Sequence, residues 1–379
     1  MVKEWTLKPL GELVDLKYGK ALKAQDRPED GLFPVYGSNG IVGTAGNALV
    51  NYPTIVIGRK GAVGEAHLAV HGCWPIDTTF YTRPRPGSNL NLRYLLFYIR
   101  SIDLRQVAIT STIPGLNRDT LASQKIPVPP LPEQERIVEL LDAAGELRRL
   151  RAEADRRTAD LLPAIFHEMF GDLSNGHGSW PCKPLRDLLS NIDSGWSPKC
   201  PDRSTGPDEW GVLKLGAVTS CKYIDTENKV LSEGDQPRPH LEVKPGDLLF
   251  TRKNTYDLVA ACALVQRTRP KLMLSDLIFR LRIREGVGVI PEYLWAALTN
   301  RSVRSQVQRL AGGSAGSMPN ISKGRLYGFT ITVPPETLQS RFATRLAEVR
   351  VLEAQQAASR QRLDDLFQSM LHRAFRGEL

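Results

Sequence analysis

The stretch LPEQERIVELLDAAGELRRLRAEADRRTADLLPAIFHEMFGD, residues 131–172, decides the fold because it predicts one long amphipathic helix introduced by prolines. A second copy of this pattern follows later in the chain. Gln134 recurs as Gln339 and His167 recurs as His372, in both cases 205 residues further on. A long element that repeats without a gap indicates an internal duplication.

The duplication also includes the globular part before each helix. A WxxKPL motif begins at Trp5 and again at Trp180, 175 residues later, whereas the basic pair at Arg59 recurs at Arg252, 193 residues later. The second globular part has therefore gained residues, and the stretch SGWSPKCPDRSTGPDEW within this interval has the composition of a loop. Loops tolerate insertions and often carry recognition, so this divergence indicates the working surface.

Each globular part is predicted to be an α+β head. Short apolar runs bounded by glycine or polar residues, such as residues 54–57 and 247–250, predict strands. Residues 90–107 and 291–310 show the apolar spacing of a packed helix instead. The expected fold is therefore two mixed heads of short strands, each with one packed helix and followed by one long helix.

The two long helices share an apolar heptad in the same register, which predicts that they pack together as a coiled coil. Because a two-fold operator relates the copies, the pair should be antiparallel. Pro163 should kink or divide the first helix near Leu162, whereas the second helix has Gln368 there and should be straighter. The predicted seam residues are Ile137, Leu140, Leu147, Leu161, Ile165, Phe342, Val349, Leu352, Leu363, Leu366 and Met370.

The composition favours an anionic partner. The chain has 379 residues, with 50 Lys and Arg against 41 Asp and Glu, a net charge of +9 and a pI near 9.3. No apolar signal core begins the chain and no apolar run reaches membrane-spanning length, so we expect a cytoplasmic protein without a membrane partner. The five cysteines have no CxxC spacing, which indicates neither a zinc site nor a disulfide framework.

Catalysis by this chain alone is not expected. The sequence has no GxxxxGK[ST] phosphate loop, no GxGxxG cofactor loop and no Asn/Asp-Pro-Pro-Tyr/Phe motif of amino-methyltransferases. His71 and Cys73 form an isolated pair that is better explained by packing than by metal binding. We therefore predict no catalytic residue, no metal site and no cofactor bound by this chain.

The duplicated architecture suits double-stranded DNA. Antiparallel helices would place the two heads at opposite ends, and a duplex has its own two-fold axes perpendicular to its length. Such a protein could place its heads on inverted half-sites about 34 Å apart. Since the heads have diverged, the two half-sites should differ in sequence, which predicts a bipartite and asymmetric target.

The candidate DNA-binding residues are basic and amide side chains at strand ends and in small-residue loops, because such groups neutralise phosphates and read base edges. A solvated strand end explains the two basic pairs about equally well, and a plain tight turn explains the loops nearly as well. The candidates are Tyr36, Ser38, Asn39, Arg59, Lys60, Thr112, Asn117, Arg118, Lys214, Arg252, Lys253, Asn254, Ser314, Ser317, Asn320 and Lys323.

Several motifs in their order along the chain resemble the specificity subunit of type I restriction-modification systems. These are the WxxKPL entry, YGSNG at residues 36–40, RKGxxG at residues 59–64, IPVPPLPEQ at residues 126–134 and the ending HRAFRGEL. The resemblance covers the whole chain, and its duplicated Pro-Pro helix entry is the most specific part. The second head departs from the pattern, because Lys214-Leu215-Gly216-Ala217 stands roughly where YGSNG is expected.

This resemblance implies two target recognition domains, residues 1–130 and 173–335, each followed by a conserved spacer helix, residues 131–172 and 336–379. It implies two methyltransferase subunits and ATP-dependent restriction subunits as partners, with S-adenosylmethionine, ATP and Mg expected on those partners. Two alternatives remain: a freestanding DNA- or RNA-binding regulator, and a coiled-coil scaffold that binds only protein. A neighbouring methyltransferase gene would argue against the first, and duplex affinity that is insensitive to salt would favour the second.

Overall fold

The structure is a computed structural model that describes residues 5–107, 115–173, 180–312 and 318–379. It contains two compact units. The first comprises Met1–Ala154 with Gln356–Leu379, and the second comprises Asp155–Gln355. Each unit therefore contains one head together with a part of each long helix.

The first head is built from short strands and short helices, as the sequence predicts. Its strands are β1 (Thr6–Pro9), β2 (Val14–Tyr18), β3 (Phe33–Gly37), β4 (Gly40–Ala45), β5 (Thr54–Gly58), β6 (Ala66–Ala69), β7 (Trp74–Pro75), β8 (Thr79–Pro84) and β9 (Lys125–Val128). Its helices are α1 (Leu10–Leu13), α2 (Leu92–Ser101) and α3 (Arg118–Ala122), with 3₁₀ turns at Ala24–Asp26 and Leu104–Val107.

Two sheets and a strand pair organise this head. The larger sheet has the order β2-β8-β5-β6 with antiparallel neighbours, and the smaller has the order β4-β3-β7; β1 pairs with β9. Every residue of β5 is buried. This explains its continuous apolar run, because a central strand covered on both faces does not alternate between apolar and polar residues.

The first long helix is divided at the predicted place. It forms α4 (Leu131–Ala159) and α5 (Leu161–Phe170), which are separated at Asp160. Pro163 has no N–H, and its ring would clash with the carbonyl group of Ala159 four residues earlier, so the α4 hydrogen-bond ladder cannot continue. Pro163 is instead accommodated in the first turn of α5, where an N–H is not needed.

The second head repeats the first. Its strands are β10 (Cys182–Pro184), β11 (Leu189–Ser194), β12 (Gly211–Leu213), β13 (Asn228–Val230), β14 (Leu248–Thr251), β15 (Cys262–Leu264), β16 (Leu272–Met273), β17 (Ile278–Ile283) and β18 (Thr330–Thr332). Its helices are α6 (Leu185–Leu188), α7 (Gly216–Thr219), α8 (Pro291–Thr299), α9 (Arg301–Gln308) and α10 (Lys323–Gly328), with a 3₁₀ turn at Pro239–Leu241. The sheets β11-β17-β14-β15 and β13-β12-β16 and the pair β10-β18 match those of the first head.

Two details differ from the sequence prediction. Residues 291–310 form two helices rather than one, because Asn300 caps α9 by accepting a hydrogen bond from the Ser302 N–H. The connection at residues 195–210 is a loop, as predicted, but it is similar in length to residues 19–32 of the first head. The added residues fall mainly in connections 214–227 and 231–247.

The second long helix, α11 (Glu336–Ala374), is continuous, in contrast to the divided first copy. Within the first unit it runs antiparallel to α4, because Arg136 donates to the Leu379 carbonyl at 2.8 Å whereas Arg148 contacts Asp364 at 2.6 Å. Within the second unit, the ring of Phe342 packs 5.5 Å from the ring of α5 Phe166. The expected pairing of the two helices is therefore present in each unit.

The two positions of the predicted heptad differ in burial. The first position is buried or half-buried throughout, at Ile137, Ile165, Phe342, Val349, Leu363 and Met370. The second position is exposed throughout, with 37% to 52% of the residue accessible, at Leu140, Leu147, Leu161, Leu352 and Leu366.

At three of the predicted heptads the residue one position further on is the more buried one, after Leu140, Arg345 and Leu366. Leu141 and Leu346 are buried, and Phe367 is half-buried next to Arg148. Relative to Ile137, position 140 is displaced by about 60° around the helix and position 141 by about 40° in the other direction. Since both positions are near the seam, the hydropathy pattern alone does not show which of them is buried. The surface that packs against the helix determines this.

A buried glutamine fixes each helix to its own head. Gln134 accepts from the Asn91 N–H at 2.8 Å and donates to the carbonyls of Asn89 and Pro129 at 2.9 and 2.8 Å. Gln339 makes the equivalent three bonds in the second head, to the Ile290 N–H and to two carbonyls. A buried amide must be satisfied in this way, which explains why the repeat has glutamine after both Pro-Pro pairs.

Candidate nucleic-acid interface

The predicted residues of the first head meet at one edge of the larger sheet. Both β2 and β5 are antiparallel to β8, so the two strands end at the same edge. Tyr18, the last residue of β2, pairs with Phe80, and Gly58, the last residue of β5, pairs with Thr79. The basic pair that follows Gly58 is therefore placed beside Tyr18, which is 50% exposed.

Arg59, Lys60 and Arg118, together with the rings of Tyr18 and Phe80, form what we call the first basic cluster. The guanidinium of Arg59 lies 5.0 Å from the Tyr18 ring centre and 5.8 Å from that of Phe80. The guanidinium of Arg118 lies 5.9 Å from the Tyr18 ring centre. Arg59 and Arg118, almost sixty positions apart, thus share the Tyr18 ring, which helps to hold both cations in place. Arg118 is also paired with the exposed Asp119 at 3.3 Å.

Backbone hydrogen bonds connect the segments of this cluster. The Leu116 N–H donates to the Arg59 carbonyl at 2.9 Å, and Lys60 forms an isolated bridge with Gly115. The loop that leads to Arg118 is therefore joined directly to the end of β5. Asn117 caps α3 by accepting from the Asp119 N–H at 2.8 Å, which places Arg118 at the first position of that helix.

The hairpin turn between β3 and β4 contributes the other predicted residues. Ser38 donates through Oγ to the Thr78 carbonyl at 2.9 Å, and that same carbonyl accepts the N–H groups of Arg59 and Lys60 at 2.9 and 3.2 Å. Asn39 is exposed at the turn. The turn and the first basic cluster thus form one continuous surface.

The second basic cluster consists of Arg252, Lys253, Phe279, Asn320 and Lys323. The guanidinium of Arg252 lies 5.1 Å from the Phe279 ring centre, and the ammonium of Lys323 lies 5.8 Å from it. Arg252 also donates through Nε to Asn320 Oδ1 at 3.1 Å. The backbone of Lys253 forms an isolated β-bridge with that of Asn320, and the Ile321 N–H donates to the Arg252 carbonyl at 2.8 Å.

The two clusters are related by the internal repeat. Arg59 corresponds to Arg252, and Arg118 corresponds to Lys323, 205 residues later. In both heads a cation after a buried strand approaches a phenylalanine ring, and a cation at the start of a short helix approaches an aromatic ring of the same cluster, Tyr18 in the first head and Phe279 in the second. Two such loci in one chain are suited to binding a polyanion with repeating phosphates.

The structure corrects two predicted contacts. Tyr36 is 8% exposed and packs in the core of the small sheet, where burial raises the pKa of its hydroxyl. Asn254 is 6% exposed, and its side chain accepts the Thr255 N–H at 2.8 Å. Both side chains are buried, because a position in a turn motif or beside a basic pair in the sequence does not determine which way the side chain points.

The remaining predictions divide into two groups. Lys214 follows β12 in the place of the YGSNG turn and is half-buried, and its backbone N–H donates to the Glu227 carbonyl at 2.9 Å. The pKa of Asp202 is lowered by a hydrogen bond and charge from Lys229 and, to a smaller extent, by the charge of Lys214. Lys214 is therefore assigned to a different part of the second head from Arg252. The predicted residues Thr112, Ser314 and Ser317 lie outside the described residues.

Sequence reasoning missed the aromatic residues. Phe80 and Phe279 are 199 residues apart, the same interval that separates Tyr94 from Tyr293. That interval was a signal that could have marked the phenylalanine as part of the repeat. Tyr18 gave no such signal, since the second head has Ser194 at the end of the matching strand.

Two other kinds of feature are absent from the four described segments of the chain. In those four segments, no group of three or more His, Cys, Asp or Glu side chains is arranged to hold a metal ion. Among the helices that lie in them, none is both long and apolar enough to cross a membrane.

Comparison with known proteins adds independent information. Residues 2–154 match the family described as "Type I restriction modification DNA specificity domain". The chain is 37% identical over 161 residues to the EcoEI specificity subunit of Escherichia coli, covering 42% of this chain but 27% of that protein. It is 25% identical over 358 residues to the EcoKI specificity subunit of Escherichia coli strain K12, covering 85% and 73%.

Solved structures show the same fold. The S subunit of a type I restriction-modification system from M. genitalium matches with a TM-score of 0.59 and 15% identity, over 98% of this chain and 96% of that one. A chain from a study of complex assembly in a type I restriction-modification system matches with a TM-score of 0.63 and 17% identity, over the full length of both. The predicted fold class and the resemblance seen in the sequence are therefore confirmed.

Proposed function

We propose that this chain, a relative of the type I restriction specificity subunits, is a non-catalytic protein that recognises a bipartite sequence in double-stranded DNA. The observation that carries this proposal is the repetition of the basic cluster. Arg59 and Arg252 approach the equivalent rings of Phe80 and Phe279 at 5.8 and 5.1 Å. A second cation adjoins each site, with Arg118 5.9 Å from the Tyr18 ring and Lys323 5.8 Å from the Phe279 ring. Equivalent cations in duplicated heads support two equivalent contacts with one polyanion.

Each head would bind one half of the target. Phosphate contacts fix the position of a protein on a duplex but carry no sequence information. The features shared by the heads therefore suit the phosphates, and those that differ suit the bases. The first head has the Ser38-Asn39 turn, whereas the second has the longer connections 214–227 and 231–247, so the two half-sites should differ.

The paired helices would set the spacer between the half-sites. The second helix is 39 residues long, which corresponds to about 58 Å at 1.5 Å per residue. Neither head requires an element of this length for its own core. The antiparallel pairing seen within the first unit makes the helices a semi-rigid spacer, because it fixes two helices against each other instead of leaving one alone.

Exposed leucines on the helices support protein partners. Leu147 and Leu366 are 52% and 50% exposed in the first unit, and Leu352 and Leu161 are 38% and 41% exposed in the second. The repeat relates Leu147 to Leu352 and Leu161 to Leu366. Two equivalent apolar surfaces suit two copies of one partner, which we propose to be methyltransferase subunits.

The remaining chemistry would belong to the other subunits. We propose that restriction subunits join this core, and that S-adenosylmethionine, ATP and Mg are bound by the partners and not by this chain. The sequence supports this division because it lacks the phosphate and cofactor loops that such ligands use.

Replacing both residues of one basic pair with alanine, as Arg59→Ala with Lys60→Ala or Arg252→Ala with Lys253→Ala, should weaken binding to the full site about ten- to hundredfold. Each lost phosphate contact should also reduce the slope of log affinity against log salt by about 0.9. Filter binding or fluorescence anisotropy at several salt concentrations measures both quantities.

Arg149→Ala is the matched control, because Arg149 is paired with Glu146 at 2.8 Å on α4, outside both clusters. It should leave affinity and salt slope unchanged. Unaltered affinity in both double variants would remove the basic pairs from the interface. Duplex affinity of the unchanged chain that is insensitive to salt would instead favour a protein-binding scaffold.

Replacing Leu147 and Leu366 with aspartate should abolish co-purification of one of two methyltransferase copies from cells that express both proteins. The reason is that a buried carboxylate replaces an apolar contact. Stoichiometry is measured by native mass spectrometry, with Leu161→Asp and Leu352→Asp as the equivalent pair in the second unit.

Retention of two copies after both pairs are changed would exclude this surface as the docking site. Absence of any methyltransferase with the unchanged chain would favour the freestanding regulator. Thermal unfolding provides the control, since these four side chains are already exposed and their replacement should leave the fold intact.

A further inference from the structure

The second head has an arginine that the repeated cluster does not include. We infer that Arg238, stacked on Trp196, reads a guanine in the second half-site. This inference rests on the proposed function and deepens it, because it assigns sequence reading to one side chain. The guanidinium lies 4.0 Å from the Trp196 ring centre.

Trp196 is at the same sheet edge as the second basic cluster. Both β11 and β14 are antiparallel to β17, so Ser194 and Thr251, which end these strands, lie at one edge. The loops beyond that edge are connected: Ser197 donates through Oγ to Asp276, and the Arg252 N–H donates to the neighbouring Leu277 carbonyl at 3.0 Å. DNA bound by Arg252 would therefore pass close to Trp196.

The backbone holds Arg238 in a defined position. Pro237 and Pro239 flank it and restrict the chain on both sides. Its N–H donates to Met273 Sδ at 3.2 Å, and its carbonyl accepts the Leu241 N–H at 2.9 Å. A side chain fixed in this way loses little conformational entropy on binding.

The guanidinium of Arg238 is available to a ligand. The residue is exposed, and its guanidinium forms no hydrogen bond or ion pair with any residue in the part of the chain that the structure describes. Other arginines of the second head already have partners within the protein. Arg203 is paired with Glu209, and this pairing lowers the pKa of the Glu209 carboxyl to about 2. Arg269 donates to the Gly206 and Glu209 carbonyls. Buried Arg280 binds two carboxylates.

The chemistry of this group selects its target. A planar guanidinium with free parallel N–H groups matches O6 and N7 of guanine in the major groove, whereas lysine provides only a point charge. The stacking ring holds the plane and leaves the outer edge open. Guanine is therefore the base that Arg238 would recognise.

Among the described residues of the first head, no arginine stands at the place of Arg238, which makes Arg238 a determinant of the difference between the half-sites. Residues 46–53, which take the place of connection 231–247, are GNALVNYP and contain no arginine. Lys20 stands where the second head has Trp196, 176 residues later. An element found in one head alone suits base reading, since the phosphate backbone is the same at both half-sites.

Sequencing of DNA selected from a randomised duplex library tests this. The full chain is used in the complex with which it co-purifies, and the unchanged complex should select a bipartite site with a guanine in one half-site. Arg238→Gln should reduce the preference for that guanine about ten- to hundredfold and leave the other half-site and the spacer unchanged. Arg238→Lys should retain most of the affinity but lose the base preference.

Arg252→Ala separates the two roles, because it should weaken binding to all sequences without changing the selected bases. Arg238 variants that retain the unchanged guanine preference would overturn the inference, as would a uniform loss of affinity at every base. Failure of the unchanged complex to select any sequence would instead contradict the proposed function. Thermal unfolding excludes misfolding as the cause of altered selection.

Discussion

Arg280→Met should lower the free energy of unfolding of the second unit by about 3–5 kcal/mol, because it removes the buried cation and leaves two largely buried carboxylates with only the half-exposed Arg282. Arg280 is 2% exposed and contacts Asp193 at 2.8 Å and Asp247 at 3.1 Å. It also donates to the Glu242 and His240 carbonyls. Urea unfolding of the full chain measures the loss through tryptophan fluorescence, which reports mainly on this unit through Trp180, Trp196, Trp210 and Trp295.

Arg282→Met is the matched control. Arg282 contacts the same Asp193 at 2.9 Å, but 45% of its side chain is accessible. Its loss should cost less than about 1 kcal/mol, since solvent screens an exposed ion pair. Equal losses for the two variants would show that burial does not set the stability of this network.

The same network predicts a dependence on pH. Burial alone would raise the pKa of Asp193, but hydrogen bonds and charge from Arg280 and Arg282 outweigh it, so the pKa lies below its usual value of 3.8. The folded state therefore holds this proton less tightly than the unfolded chain, and the stabilisation is present above about pH 4 and lost as the pH falls.

Arg280→Met removes this contribution, so the difference in stability from the unchanged chain should narrow below about pH 4. Unfolding curves at pH 7, 4 and 3 measure it. A difference that stays constant over this range would assign the loss to packing instead of to the charge network.

Shortening both long helices by seven residues should change the spacer of the recognised site by about three base pairs. Deleting residues 149–155 together with residues 354–360 removes repeat-equivalent segments. The change shortens each helix by about 10 Å, and duplex DNA rises about 3.4 Å per base pair. Selection from libraries with spacers of different length measures the result, with the sequence of each half-site expected to stay the same.

Seven residues are one heptad, so the seam on both sides of the deletion keeps its phase. Deleting five residues from each helix is the control, because it rotates the seam by about 140° and should destabilise the helix pair. An unchanged spacer preference after the seven-residue deletions would contradict the proposal that the helices set the spacing.

Much of the fold was accessible from the sequence because it depends on local chemistry. The gap-free recurrence of Gln134 at Gln339 revealed the duplication, and the structure gives both side chains the same three hydrogen bonds. The break before Leu161 follows from Pro163, whose missing N–H acts on the helix wherever the helix packs. The basic pairs after β5 and β14 were placed correctly because a buried strand ends where its apolar run ends.

The direction of side chains was decided only by the tertiary structure. Leu147 is exposed and Arg148 is in the seam, because Asp364 and Phe367 lie opposite Arg148 and provide it with a charge and a ring. The spacing of apolar residues within one helix cannot reveal such a partner, because the partner comes from a segment more than two hundred residues away. The burial of Tyr36 likewise depends on residues that other strands and loops of its head bring against it, including Val56, Ala69 and Cys73.

The sequence by itself determined the duplication, the strands that end in basic pairs, the divided helix and the resemblance to specificity subunits. The tertiary structure decided which cations share an aromatic ring, as Arg59 and Arg118 do at Tyr18, and it placed Arg238 on Trp196. Local elements depend on the chemistry of consecutive residues. A recognition surface depends on distances between residues that the chain brings together only when it folds.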